Sequence, residues 1–118
     1  MKRIIHVDNS GFFRKFLRNF LQAEGFEVVG FDNTKEASLA IVSGIGDMVI
    51  MGLAFADTEG NDFLARIRDS FNGPVIVISS SVDEMMEAEL IAQGATAAIN
   101  KSDPSWRQNL KSYLSVLK

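Results

Sequence analysis

The feature that most constrains the fold is a regular alternation between short apolar runs and longer amphipathic segments. Five short runs, several rich in β-branched residues, are each followed by a segment with apolar residues at helical spacing. A repeat of this kind predicts a mainly parallel sheet with helices on both faces and right-handed crossovers. The predicted fold class is therefore α/β, a doubly wound (βα)5 sheet.

Turn residues and helix caps set the limits of these elements. The predicted strands cover residues 3–7, 26–31, 48–53, 75–78 and 97–99. Five helices follow them: from Ser10 to Gly25, from Asn33 to Gly44, from Gly60 to Asn72, from the capping box Ser81–Glu84 to about Ala92, and from Asp103–Pro104 to Leu117.

Composition excludes several classes of protein. The 118 residues suit one domain, 1–118, and the absence of cysteine leaves neither disulfides nor a thiolate metal site. A net charge of −3 without a basic run gives no footprint for direct nucleic-acid binding. No apolar run approaches the ~20 residues of a membrane span, and Met1–Ile4 leads into a strand rather than a signal peptide. We expect no membrane contact and a cytoplasmic location.

Polar residues follow several of the predicted strands. The third strand is a nearly unbroken apolar run, typical of a strand buried on both faces, and it ends at Gly52, which has no side chain. Because the carboxyl ends of parallel strands meet at one edge, we expect a shared site there. Its members would be Asp8, Asn9, Gly52, the carbonyl of Ala54, Ser79 and Lys101.

These residues carry a resemblance to a known family. From end to end the chain resembles a response-regulator receiver domain of the chemotaxis-receiver type. The resemblance implies a flavodoxin-like sheet with strand order 2-1-3-4-5. It runs through Val7–Ser10, Asp47–Leu53, Gly60, Pro74–Ser79, Gly94–Ala95 and Lys101.

The resemblance also implies a role for each position. An aspartate at the place of Gly52 would accept a phosphoryl group. Acidic residues at places 8 and 9 would hold Mg²⁺ with that aspartate and the carbonyl of residue 54. A hydroxyl at Ser79 and an ammonium at Lys101 would grip the phosphoryl oxygens. An aromatic residue at the place of Ala98 would report the change to the outer face.

The sequence departs from this pattern at four positions. Gly52 cannot be phosphorylated, Asn9 leaves one carboxylate for a metal, and Ala98 has no ring. Ser102 stands where a proline usually follows the lysine, which favours a trans 101–102 bond. We interpret the chain as a degenerate pseudo-receiver without a cofactor and with weak Mg²⁺ binding at most. We also expect Lys101 to pair with Asp8.

Some residues have plainer interpretations. Asp57 is expected to be a turn residue whose carboxylate points to solvent, and His6 to be structural. Ser10–Gly11, before the first helix, could bind an anion but makes a poor flavin phosphate loop. If Met85 faces the core, Met86 and Leu90 would be exposed and, with Ala98, would offer a surface to a partner.

Three functions remain open from the sequence. The leading one is a phosphorelay receiver-like domain that has lost aspartyl phosphorylation and acts through contacts with a kinase, an output domain or another signalling protein, or as a homodimer. A second is a receiver with a different acceptor, for which only Asp8 is near Ser79 and Lys101. A third is a small-ligand or flavin binder on the same fold. No enzyme is expected, because the strand ends supply no nucleophile–base pair.

Overall fold

Five strands alternate with five helices in the computed structural model, which describes residues 1–117. This is the order that the apolar runs predict. The strands are β1 (Arg3–Val7), β2 (Glu27–Phe31), β3 (Met48–Met51), β4 (Val75–Ser79) and β5 (Ala97–Asn100). The helices are α1 (Gly11–Ala23), α2 (Thr34–Val42), α3 (Gly60–Arg68), α4 (Glu84–Ala92) and α5 (Trp106–Leu114).

The strands form one parallel sheet in the order β2-β1-β3-β4-β5. The predicted fold class and strand order are confirmed. Strand β3 lies at the centre and all four of its residues are buried, as its unbroken apolar sequence requires. The order in which strands are added switches at β1: β2 lies on one side of β1, and β3 and the later strands lie on the other. Ligand sites in folds of this class form at such a switch point, here between β1 and β3.

Helices cover both faces of the sheet. Phe63 and Ile67 of α3 pack with α2 and α4 on one face, in the cluster that includes Val49 and Val77. Helices α1 and α5 cover the other face, where Leu17 packs in the same cluster as Leu110. The alternation of side chains along each strand supplies both layers.

Helix α4 begins differently from the sequence prediction. Its N-cap is Asp83, whose Oδ1 accepts a hydrogen bond from the Met86 amide at 2.8 Å. Ser81 was predicted to open this helix, but its Oγ lies 2.9 Å from Ser79 Oγ instead. An aspartate immediately before the first helical residue is as good a cap as serine, so the later start satisfies the same backbone donors.

The exposed face of α4 is also the opposite of the predicted one. Met85 is 74% exposed, whereas Leu90 is fully buried and Met86 packs against the core. Met86 and Leu90 are four residues apart and therefore lie on the same face of the helix. Burying this pair removes more apolar area from water than burying Met85 with Ala88 and Ala92. Ala98 is buried as well. The predicted partner surface of Met86, Leu90 and Ala98 is therefore wrong.

Helix α5 starts at Trp106 rather than at Pro104. Asp103 Oδ1 accepts a hydrogen bond from the Ser105 amide at 2.8 Å, which forms a turn before the helix. The helical spacing of the sequence predicts a buried face formed by Trp106, Leu110, Tyr113, Leu114 and Leu117. Trp106, Leu110 and Leu114 are buried, whereas Tyr113 and Leu117 are partly buried and pack against the same cluster. In residues 1–117, no helix has the length and apolar character needed to cross a membrane.

Candidate functional site

A pocket of about 200 Å³ lies at the carboxyl ends of the strands. It brings together residues that follow β1, β3, β4 and β5. Ala98 does not take part, because it is buried in the core beneath α4. The lining includes Asp8, Asn9, Gly52, Leu53, Ala54, Ser79, Ser80 and Lys101.

Asp8 is fixed at the start of α1. Its side chain is only 4% exposed, and its Oδ1 accepts a hydrogen bond from the Ser10 amide at 2.8 Å. Ser10 in turn caps α1, since its Oγ accepts from the Phe13 amide at 3.2 Å. The guanidinium of Arg14 donates to the Asp8 carbonyl. The carboxylate is therefore held by the turn that opens the helix.

The position of Gly52 depends on the absence of a side chain. A Cβ atom placed on this residue would lie 2.9 Å from Asp8 Oδ2, closer than a normal contact. The backbone is otherwise regular, and the Gly52 amide donates to the Val7 carbonyl at 2.9 Å. The Asp8 carboxylate thus occupies space into which a side chain at residue 52 would project.

Lys101 interacts with an aromatic ring rather than with a carboxylate. Its Nζ lies 4.3 Å from the centre of the Phe13 ring, within the range of a cation–π contact. Among residues 1–117, the only ion pairs within 4.0 Å are Arg3–Glu27 and Lys111–Glu24. The predicted Asp8–Lys101 pair is therefore wrong. Asp8 is already anchored to Ser10, and the ammonium is stabilised by the ring.

The ends of β4 and β5 are joined by polar contacts. Ser79 Oγ accepts a hydrogen bond from the Ser81 amide at 3.3 Å and also contacts Ser81 Oγ. The Lys101 amide donates to the Ser79 carbonyl at 3.3 Å. All peptide bonds described in residues 1–117 are trans, which confirms that prediction for the bond between Lys101 and Ser102.

Comparison with known proteins decides the family. Residues 4–114 match the family model of the response regulator receiver domain. The chain belongs to this family. The predicted resemblance is confirmed at this level.

Curated relatives of this receiver domain are longer proteins. It is 26% identical over 101 residues to the KDP operon transcriptional regulatory protein KdpE of Escherichia coli, covering 86% of this chain and 45% of that protein. It is 34% identical over 103 residues to protein-glutamate methylesterase/protein-glutamine glutaminase 5 of Myxococcus xanthus, covering 84% and 30%. The chain thus spans less than half the length of these relatives.

Solved structures show the same fold. The response regulator domain of Thermotoga maritima CheB has a TM-score of 0.82 and 25% identity, covering 98% of this chain and 92% of that one. Vibrio cholerae chemotaxis protein CheY4 has a TM-score of 0.84 and 23% identity, covering 98% of both chains. The flavodoxin-like architecture inferred from the sequence therefore agrees with that of known receivers.

The residues of this receiver domain fit a magnesium ion poorly. Asp8 is the one carboxylate that lines the pocket, and its Oδ1 already accepts the Ser10 hydrogen bond. Asn9 and Ala54 can offer only neutral oxygens. Mg²⁺ is usually held through one or two carboxylates together with substrate phosphates and several waters, so a single carboxylate with one oxygen already engaged offers the fewest protein ligands of this range. In the described part of the chain, no group of three or more acidic or histidine side chains could hold a metal.

Asp57 has a structural role that the sequence did not predict. Although the residue is exposed, its carboxylate accepts hydrogen bonds from the Thr34 amide at 3.1 Å, the Thr34 hydroxyl at 2.9 Å and the Lys35 amide at 3.2 Å. Desolvation opposes ionisation, but these bonds outweigh it and hold the pKa of Asp57 below its ordinary value. The predicted exposure of Asp57 is confirmed, but its hydrogen bonds to Thr34 and Lys35 were not predicted. The first amides of any helix lack partners within the helix, so the need for an acceptor at the start of α2 was the signal that could have indicated this role.

Proposed function

We propose that this receiver domain does not accept a phosphoryl group at the end of β3 and acts as a pseudo-receiver through protein–protein contacts. The observation that carries the proposal is that β3 leads to Gly52, which has no side chain to accept the group. Asp8 Oδ2 lies 2.9 Å from the place of a Cβ on this residue, so the Asp8 carboxylate already occupies the space of an acceptor side chain.

Two other groups of the pocket support the proposal. Lys101 is in contact with the Phe13 ring, and Ser79 is engaged with Ser81. Both groups therefore have interactions within the chain and do not need a phosphoryl group to satisfy them. Asp8 is likewise held by the Ser10 amide. We therefore interpret the pocket as a fixed polar cluster rather than as a site for phosphoryl transfer.

The test is the intact mass of the protein after incubation with acetyl phosphate and Mg²⁺. We expect no phosphoryl adduct on the parent chain. Gly52→Asp is the matched variant, because it restores the missing carboxylate at the end of β3. An adduct on that variant alone would show that the rest of the pocket still supports transfer. An adduct on the parent chain would contradict the proposal.

A second candidate is a receiver that uses a different acceptor. Asp8 favours it, because this carboxylate lines the same pocket as Ser79 and Lys101. Asp57 is the other acidic side chain to consider, but it lies outside the residues that line the pocket and already accepts three hydrogen bonds. Loss of a parent adduct in Asp8→Ala or in Asp57→Ala would identify the acceptor and establish this function.

The partner in this proposal is a protein. One relative is a transcriptional regulatory protein and another a methylesterase, and in both the matched region is part of a longer chain. A kinase, an output domain or a second copy of the chain would contact an exposed surface. On α4 the large exposed apolar side chains are Met85 and Ile91. Light scattering of the parent and of Met85→Glu tests the second copy: a dimer that the substitution dissociates would identify it.

A further inference from the structure

A second pocket, separate from the one at the strand ends, lies between α1 and the edge strand β2. Its volume is about 330 Å³. His6 of β1 contributes to it, and Gly30 of β2 leaves space because it has no side chain. A Cβ added at Gly30 would meet its nearest atom, Arg14 Cδ, at an ordinary 3.7 Å. Three cationic side chains of α1 also line the pocket, Arg14, Lys15 and Arg18, together with Gly11 and Val28.

The positive charge of this pocket is not neutralised by a carboxylate. None of the three cationic side chains has an acidic partner within 4.0 Å in residues 1–117. Arg14 donates through Nη1 to the Asp8 carbonyl, and this hydrogen bond fixes the guanidinium. The other N–H groups of the guanidinium can still donate to a ligand. The whole chain carries a net charge of −3, so a local cluster of three unpaired cations stands out from its surroundings.

His6 supplies a second and independent observation. The residue is 1% exposed, and neither ring nitrogen has a hydrogen-bond partner. Burial, the charge of Arg14 and the charge of Lys101 lower the pKa of His6 to about 3, so the ring is neutral and carries one N–H donor. Buried polar groups are normally paired, and such an exception calls for an explanation. A ligand in the pocket would provide the missing partner.

We propose that the pocket formed by His6, Arg14, Lys15, Arg18 and Gly30 binds the phosphate group of a small molecule. Guanidinium groups match phosphate oxygens with paired N–H donors, and a lysine adds a point charge. The neutral imidazole donates one further hydrogen bond once the ligand displaces the atoms that cover its ring nitrogens. Free phosphate and a phosphate ester share this chemistry, and the size of the pocket leaves room for more than the phosphate group.

The experiment uses the only histidine of the chain as the reporter. The imidazole signals of His6 are followed by NMR as inorganic phosphate, pyrophosphate or glycerol 3-phosphate is added at constant ionic strength. We expect a saturable shift with at least one of these probes. Tighter binding of glycerol 3-phosphate than of phosphate would identify an ester as the preferred source.

Three variants make the test specific to this pocket. Arg18→Glu should weaken binding at least tenfold, whereas Arg66→Glu, an equal charge change at an exposed position on α3, should leave it unchanged. Gly30→Val fills the pocket without changing charge and should also abolish the saturable shift. Amide spectra would show that each variant remains folded.

Other results would overturn the proposal. A shift that grows without saturation, or that Arg66→Glu weakens as much as Arg18→Glu does, would mean general charge screening. A saturable shift that disappears only in Lys101→Gln would place the anion in the pocket at the strand ends. The absence of any shift would exclude the site. None of these results depends on whether the chain accepts a phosphoryl group from acetyl phosphate.

Discussion

The two ends of the sheet differ in how fully their polar groups are hydrogen-bonded. At the amino ends of β4 and β5, the Arg68 guanidinium donates to the carbonyls of Gly94 at 2.7 Å, Gly73 at 2.7 Å and Phe71 at 3.1 Å. Partial burial lowers the pKa of Arg68, but the group stays charged because its ordinary value is so high. Here a single side chain satisfies three loop carbonyls.

At the carboxyl ends, charged and polar groups are left with weaker partners. Lys101 faces a ring, and both nitrogens of His6 lack a hydrogen bond. Asp8 has no ion pair among the residues that the structure describes. Buried polar groups in proteins are normally hydrogen-bonded, and unpaired groups are found mostly at functional sites. The unpaired nitrogens of His6 agree with the binding site that we propose beside this residue.

The largest effect should come from the amino end. Arg68→Ala leaves three carbonyls without their donor, and we expect it to lower the free energy of unfolding by about 2–3 kcal/mol. Urea denaturation measures this change. Arg66→Ala removes an exposed arginine from the same helix and should change stability by less than about 0.5 kcal/mol. Equal effects of the two substitutions would break the comparison.

The next effect concerns His6 and pH. The unfolded histidine has a pKa of 6.5, whereas the folded value is about 3, so below pH 6.5 only the unfolded chain takes up this proton. Stability should therefore fall as pH decreases through that window, by about 1.4 kcal/mol per pH unit from this group. Between pH 6.5 and about pH 5 the loss is roughly 1.6 kcal/mol, because the unfolded histidine is already half protonated at pH 6.5.

His6→Phe tests this prediction, because it removes the titrating group and places an apolar ring beside Phe13. Urea denaturation at several pH values should show a flatter slope between pH 6.5 and pH 5 in the variant than in the parent. Equal slopes would mean that the folded protein accepts the proton on His6, and the contrast between the two ends would then lose one of its main supports.

The sequence predicted the fold well because its signals were local. The unbroken apolar run Met48–Met51 and the helical spacing of Phe13, Leu17 and Leu21 each depend on neighbours along the chain. The buried face of α4 was harder to predict, because Met85 and Met86 are adjacent and only packing decides which of them is buried. The sequence could place Asp8 and Lys101 at one edge but not decide whether they touch.

Long-range contacts explain the other errors at the site. The capping of α2 by Asp57 joins residues more than 20 positions apart. The Phe13 ring under Lys101 belongs to a helix whose apolar residues, at helical spacing, predict only packing against the core. Each of these contacts requires the three-dimensional arrangement of separate elements.

A smaller effect is expected at Gly52. Gly52→Ala would bring a Cβ to 2.9 Å from Asp8 Oδ2 and force the carboxylate to move. We expect a loss of about 1 kcal/mol, the lower end of the range for overpacked sites. The same substitution in an Asp8→Ala background should be neutral or stabilising, because the close contact is gone. A double-mutant cycle by urea denaturation measures the coupling, and additive effects would contradict the geometry.

The smallest effect should come from Asp57, a carboxylate near this edge that accepts hydrogen bonds from three donors. If pairing is what separates the two ends, Asp57 should behave like the groups at the amino end and contribute to stability. Asp57→Asn keeps an acceptor for Thr34 but removes the negative charge at the start of α2. The folded pKa of Asp57 is lowered, so its contribution is present above the unfolded value of 3.8 and is lost as pH falls through the folded value. The stability difference between parent and Asp57→Asn should therefore shrink below pH 3.8, and thermal unfolding at neutral and acidic pH measures it. A difference that stays constant with pH would mean that the hydrogen bonds, and not the charge, hold this loop to α2.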